Sequence, residues 1–234
     1  MFSWSYVIDY FPKIIVKFPM TLKLVLIPFA ISFMFGFAIA LLRLKKIKAI
    51  DWLLKLYVSY VRCTPVITQM FIVYFGMPIL MQNFGIDAYD WEPAIFVYIA
   101  YSINISAFLS ETIRSSILAV PIGQMEAGYS VGMSGFQTMR DIVVPQALKI
   151  SLPMLGNMFI SLFRATALAY MVNVIDMIGK ARALAASGGH LLEGYVCCAA
   201  VFAIISLGLE VIFHLINKKL SFGHSYGKQR KVRA

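Results

Sequence analysis

Glu126-Ala127-Gly128-Tyr129-Ser130-Val131-Gly132, followed after nine residues by Ile142-Val143-Val144-Pro145, is an island of small and polar residues in a strongly apolar chain. Pro121 stands where a short helix can begin, because proline suits the first helical position. Gly132 stands where that helix can end, in the left-handed conformation that glycine adopts at little cost. Ser134 and Gln137, three residues apart, have the pattern of a capping box for a second helix. Pro145 predicts a break or kink in that second helix. The stretch reads as two short helices around a turn, an exposed knob at the end of longer apolar helices. Such a knob needs a groove to receive it, and this chain does not supply one.

The composition around the knob places it beside a membrane. Of 234 residues, 60% are hydrophobic and 14% charged, where a soluble domain has about a quarter charged. The net charge of +10 would suggest a nucleic-acid partner in a soluble protein. Here the basic residues cluster beside the hydrophobic runs, where they set topology and meet anionic headgroups, so no nucleic acid is expected. Cys63, Cys197 and Cys198 have neither disulfide nor metal-ligand spacing and read as small buried apolar residues.

Five runs are long enough to cross a hydrocarbon core of about 30 Å as helices: Leu24–Leu42, Cys63–Met81, Pro93–Ser110, Ile150–Ile175 and Gly194–Ile216. The chain therefore reads as one all-α integral membrane domain over 1–234. Its membrane core is 20–216, its motif loop 121–145 and its basic, mobile tail 217–234. Residues 1–20 suit an interfacial helix, Ile50–Val61 an amphipathic lead-in anchored by Trp52, Tyr57 and Tyr60, and 176–193 a mixed loop. Arg43, Lys45, Lys46 and Lys48, the motif loop and the tail lie on one side, and the 82–92 loop on the other has no Lys or Arg. The positive-inside rule makes the basic side cytoplasmic, with the N-terminus outside and the C-terminus inside. Lys180 and Arg182 run weakly against this.

Polar residues within spans face the bundle or a wet cavity, because lipid exposure is costly. Tyr101, Asn104, Phe108 and Glu111 share one face at helical spacing. Ser102, Ser106 and Ser110 form a second stripe, read as close helix packing. Asn157, Ser161 and Arg164 also share a face, with Arg164 about halfway along its predicted span. Arg164 either lines a pathway and meets a substrate carboxylate, or pairs with a helix-end carbonyl or a neighbouring polar side chain. Gln69 and Asn104 either bond between helices or touch a ligand. Glu111 and Arg114 read as a local salt link. Gly179-Lys180 lacks the glycine loop and hydroxyl of a nucleotide-binding P-loop, so the chain should neither bind nor hydrolyse ATP itself. His190, His214 and His224 are scattered, and no catalytic arrangement is specified.

The Glu126–Pro145 stretch resembles the EAA loop of the membrane subunits of bacterial ABC importers, E-A-A-x3-G-x9-I-x-L-P. Glu126, Ala127, Gly132, Ile142 and Pro145 fit, while Gly128 and Val144 stand for Ala and Leu. Arg62-Cys63-Thr64-Pro65, Gln69, Tyr74-Phe75-Gly76, Ser106–Arg114 and Pro145-Gln146-Ala147-Leu148 with Leu155-Gly156-Asn157 resemble the polar amino-acid branch. Arg164-Ala165-Thr166-Ala167 departs from that branch's usual K-D/N-T-S. The resemblance implies a five-helix permease of the type I importer fold with a cytoplasmic coupling helix. It implies a second permease subunit, identical or a paralogue, two cytoplasmic ATPases that bind ATP and Mg, and an extracytoplasmic amino-acid-binding protein. The setting would be the bacterial inner membrane. The expected pathway residues are Gln69, Asn104, Asn157, Ser161, Arg164 and Thr166. Those coupling to the ATPase are Glu126, Ala127, Gly132, Ile142 and Pro145. The rival is a channel or scaffold without ATPase coupling, which would have no need of the knob.

Overall fold

The computed structural model describes residues 2–221. The basic tail beyond them, with Lys228, Arg230, Lys231 and Arg233, lies outside the described residues. The elements are α1 (Trp4–Ile15), α2 (Phe18–Leu44), α3 (Lys48–Cys63), α4 (Val66–Gln82), α5 (Pro93–Leu118), α6 (Ile122–Ser130), α7 (Gly135–Thr138), α8 (Val144–Ala165), α9 (Met177–Gly188) and α10 (Leu191–Ser221). A π-helical turn, Met139–Val143, joins α7 to α8, and a 3₁₀ segment, Thr166–Val172, follows α8.

Four segments are long and apolar enough to cross a membrane: α2, α5, the 135–172 stretch containing α8, and α10. The fifth candidate is a bent pair, α3 and α4, which meet at 108°. Pro65 causes the break. It disfavours helical backbone at the residue before it, and Thr64 is extended, with φ −110° and ψ 142°. Gln69 then reaches back from α4, donating to the carbonyls of Val61 at 2.9 Å and Thr64 at 3.2 Å. These are carbonyls that a helix end leaves without partners.

α5 is the axis of the bundle, with 16 of its 26 residues buried. The serine stripe lies where α2 crosses it closely. Ser32 Oγ donates to Ser102 O at 3.0 Å, and a Cβ on Gly36 would stand 2.8 Å from Leu109 Cβ and 3.1 Å from Ser106 O. This is the small-residue contact of membrane helices, in which backbones approach closely and dispersion replaces the hydrophobic drive. Phe213 of α10 packs as tightly over Gly156 of α8. α1 carries Trp4, Ile8 and Phe11 on its exposed side and buries Tyr10 and Ile14, as an interfacial amphipathic helix should.

Three expectations need correction. The span Ile150–Ile175 is not one helix: the α-helix begins at Val144 and stops at Ala165, and Asn173 ends the 3₁₀ continuation with φ 64°. Arg164 is therefore in the last turn of α8 and not midway along a span. Residues 176–193 are not a loop, because α9 occupies most of them. Asp176 caps α9 by accepting from Gly179 N at 2.9 Å, and Gly189 closes it at φ 73°.

Candidate functional site

The knob is built by local chemistry. α6 begins directly after Pro121, and Gly132 turns the chain at φ 79°. Ser134 and Gln137 form the full capping box, with Ser134 N donating to Gln137 Oε1 at 2.8 Å and Gln137 N to Ser134 Oγ at 3.3 Å. Pro145 has no N–H for a helical bond, and the π-helical turn directly before α8 absorbs the irregularity. The glycine at 128 has a steric reason: a Cβ there would lie 2.7 Å from both Thr138 Oγ1 and Cγ2. Tyr129, Val131 and Phe136 are exposed on this knob, as is Ile122 at its entry. Glu126 and Ala127 are exposed, Ile142 half-buried and Pro145 exposed. Glu126 lies in the second turn of α6.

Where α5 begins its descent to the knob, a charge cluster ties three helices. Arg43 of α2 donates to Glu111 of α5, which also holds Arg114 at 2.8 Å, while Arg43 Nε lies 3.6 Å from Asp51 of α3. Arg43 is 8% exposed. It reads in sequence as one of a run of topological charges, and only Glu111, 68 residues away, reveals its buried role.

Between α5 and α8 lies a cavity of about 420 Å³. Tyr101, Asn104, Asn157 and Ser161 give it polar groups, while Val66, Ile105, Phe108, Met154, Met158 and Leu162 make the rest largely apolar. Such an apolar concavity with a few placed polar groups is the usual form of a small-molecule site. Tyr101 Oη donates to Ala165 O at 2.6 Å, using a carbonyl at the end of α8. The Arg62 guanidinium lies over Phe108, 5.7 Å from its ring centre. A larger groove of about 660 Å³ lies between α2, α3 and α5. It is the weaker candidate, because its few hydroxyls, on Tyr57, Tyr98, Ser102 and Ser106, stand among apolar side chains and no amide or charged group joins them, and Tyr57 is already held by Ile103 O at 2.7 Å and Ser106 Oγ at 2.8 Å.

The cavity gathers three of the six expected pathway residues, Asn104, Asn157 and Ser161. Gln69 stands behind Asn104, which donates to its Oε1 at 3.0 Å. Thr166 is buried and donates to Phe163 O at 2.7 Å. Arg164 is exposed and turned toward α10, where its Nε lies 3.4 Å from Ser206 Oγ. Asp176 went unnoticed in the sequence, although an Asp before an alanine-rich run is a helix-start signal. It is fully buried, its Oδ2 has no partner among the described residues, and burial pushes its carboxyl up to about 6 despite the capping hydrogen bonds.

A bundle of broken and continuous apolar helices, with a largely apolar cavity that carries a few placed polar groups and a capped knob at one end, has the form of a multi-pass membrane permease. The family model described as "Binding-protein-dependent transport system inner membrane component" matches residues 32–222, and the chain belongs to this family. It is 35% identical over 219 residues to the L-cystine transport system permease protein TcyL of Bacillus subtilis, covering 94% of this chain and 92% of the relative. It is 36% identical over 195 residues to TcyB, an L-cystine permease protein of the same organism, covering 81% of this chain and 80% of the relative. A crystal structure of an amino acid ABC transporter with histidines superposes with a TM-score of 0.83 at 30% identity, over 94% of this chain and 99% of that one. The all-α type I importer permease fold is thereby established.

Proposed function

We propose that this chain is the membrane permease of an ATP-driven amino-acid importer and carries cystine or a similar amino acid through the α5–α8 cavity. The observation that carries this reading is the pairing, in one chain, of a cavity with a few placed polar groups inside apolar helices with a preformed knob whose outer surface is uncovered. The names of the cystine permeases it resembles support the substrate. The cavity's own chemistry agrees: no ionised side chain is among its lining residues, which suits a substrate whose charges balance.

The pathway is formed by Asn104, Asn157 and Ser161, with Gln69 and Thr166 supporting it and Arg164 at its α10 side. A second permease, identical or a paralogue, completes the enclosure, since five crossings make only part of a passage. Two ATPases, which bind the ATP and Mg, receive the knob through Glu126, Ala127, Gly132, Ile142 and Pro145. The exposed Tyr129 supplies an aromatic anchor of the kind that dominates interface energetics, with Val131 and Phe136 as apolar contacts beside it. An amino-acid-binding protein delivers substrate on the opposite face. The excess of Lys and Arg on the knob side makes that side cytoplasmic, with the N-terminus outside.

The test is purification of the assembled complex with its binding protein, followed by ATPase assays across amino acids. Stimulation by cystine is expected. An assembled complex that hydrolyses ATP at one rate whatever amino acid is present would overturn the reading, and failure to retain any ATPase would favour a channel or scaffold.

A further inference from the structure

One wall of the cavity has its hydrogen-bond polarity set from behind. Gln69 is 5% exposed and directs its amide nitrogen at two backbone carbonyls, Val61 at 2.9 Å and Thr64 at 3.2 Å, and at the Thr64 hydroxyl at 2.6 Å. Backbone carbonyls only accept, so a flipped amide would set oxygen against oxygen twice. Oε1 of Gln69 therefore faces α5, and Asn104 Nδ2 must donate to it, as it does at 3.0 Å. The amide of Asn104 is thus held in one sense. Its Oδ1 is the end left over, and among the described residues nothing donates to it, while Asn104 itself lines the cavity.

We infer that Asn104 Oδ1 accepts a hydrogen bond from the α-ammonium group of the transported amino acid, and that Gln69 is the positioning residue that keeps this oxygen turned inward. The inference rests on reading the cavity as the passage. An ammonium group only donates, so an unheld amide would offer it the repelling NH2 as readily as the oxygen. A charge-assisted hydrogen bond among largely apolar walls is stronger than a neutral one. A site built to bond an N–H also rejects the analogue without it far better than an apolar pocket rejects a missing methylene. The lock is anchored in the α3–α4 bend, because the carbonyls that orient Gln69 belong to the end of α3.

The permease with its ATPase subunits, in nanodiscs and without the binding protein, reads ligand at this site alone. The probes are L-cystine and dithiodipropionate, which keeps the disulfide and both carboxylates but lacks the amino groups. The wild type should prefer cystine by about tenfold or more. Asn104→Leu should bring cystine affinity down to that of dithiodipropionate and leave the latter within about twofold. Gln69→Leu should lose most of the preference. Gln69→Glu should keep it when protonated, since its O–H then donates to the carbonyls that Gln69 meets and its other oxygen accepts from Asn104. A purely structural role predicts that Glu does no better than Leu at position 69. If Asn104→Leu does not assemble, the two Gln69 variants decide. Phe108→Trp fills the cavity and should abolish binding of both probes. Cystine binding that survives Phe108→Trp, or a wild type that binds neither probe, overturns the passage reading together with this inference. Binding lost in Phe108→Trp but a preference retained in Asn104→Leu overturns the ammonium assignment alone. Loss of the preference in Gln69→Glu as well as Gln69→Leu overturns the positioning role.

Discussion

The knob and the cavity are both polar interruptions in an apolar chain, and they are held in different ways. In the knob most side-chain bonds are short in sequence: Ser130 Oγ to Glu126 O, Thr138 Oγ1 to Ser134 O, and the Ser134–Gln137 box span three or four residues, while Gln146 to Gln124 spans 22. In the cavity they are long: Asn104 reaches Gln69 across 35 residues and Tyr101 reaches Ala165 across 64. Most of the bonds that shape the knob do not depend on how the long helices sit. The cavity changes whenever α4, α5 and α8 shift against one another. A part that transmits force should be rigid and a part that releases ligand should deform, so this difference fits the proposed division of labour.

The largest expected effect lies in the knob. Gly132 has open space around it and φ 79°, so a side chain there meets backbone strain of about 1 kcal/mol or more and no clash. Gly132→Asp, and Glu126→Lys on the exposed face, should leave the protein in the membrane at near-normal level and cut uptake more than about tenfold. Co-purification of the ATPase should fall with it. Variants that retain both ATPase and uptake would separate the knob from coupling and leave it an ordinary loop.

Gly128 sharpens the same point by steric means. Gly128→Ala sets a methyl against Thr138, and overpacking of this kind costs about 1–3 kcal/mol. Uptake should fall several-fold, and Thr138→Ala in the same chain should restore part of it by non-additivity. Equal loss in the single and double variants would show that the closeness of α6 to Thr138 is unimportant.

At the opposite end, Asp176 adds a pH dependence. Its folded value of about 6 lies above the ordinary 3.8, so the folded protein binds this proton more tightly than the unfolded chain. Its contribution to stability is present below about pH 4 and is lost as pH rises through about 6, by about 3 kcal/mol. Asp176→Asn keeps an N-cap acceptor and should flatten that decline. Thermal unfolding of both proteins between pH 5 and 8 checks it, and parallel curves would refute it.

The smallest effect is expected at Arg164. Its bond to Ser206 is long at 3.4 Å, and the side chain is exposed. Arg164→Ala should leave assembly intact and lower turnover by about fivefold at most, the worth of roughly 1 kcal/mol. Loss of assembly would mark Arg164 as a structural link to α10. A much larger loss of turnover in an intact complex would place it directly on the substrate.

The contrast also explains what could be read in advance. The serine stripe on α5, the faces of Tyr101, Asn104 and Phe108, and the turn at Gly132 were all legible, because helical period and cap chemistry are local. Glu111 was placed on the same face as Asn104 by period alone, yet Arg43 and Arg114 hold it away from the cavity. Arg164 shares a face with Asn157 and Ser161 in sequence, but the helix ends one residue after it, so its long side chain is free to turn to α10. α9 was missed because its polar and small residues look like a loop until Asp176 is recognised as a cap.

What the sequence by itself determined was the membrane class, the apolar runs from which the crossings are made, the knob and its capping, since hydrophobic length, proline and glycine act on the chain over a few residues. What only the tertiary structure decided was which polar groups meet. Gln69 could turn either end of its amide toward Asn104, and the choice is made by two carbonyls of α3 that face it only because Pro65 bends the chain by 108°. Hydrogen-bond polarity belongs to a pair of groups in space, so no single residue's identity contains it.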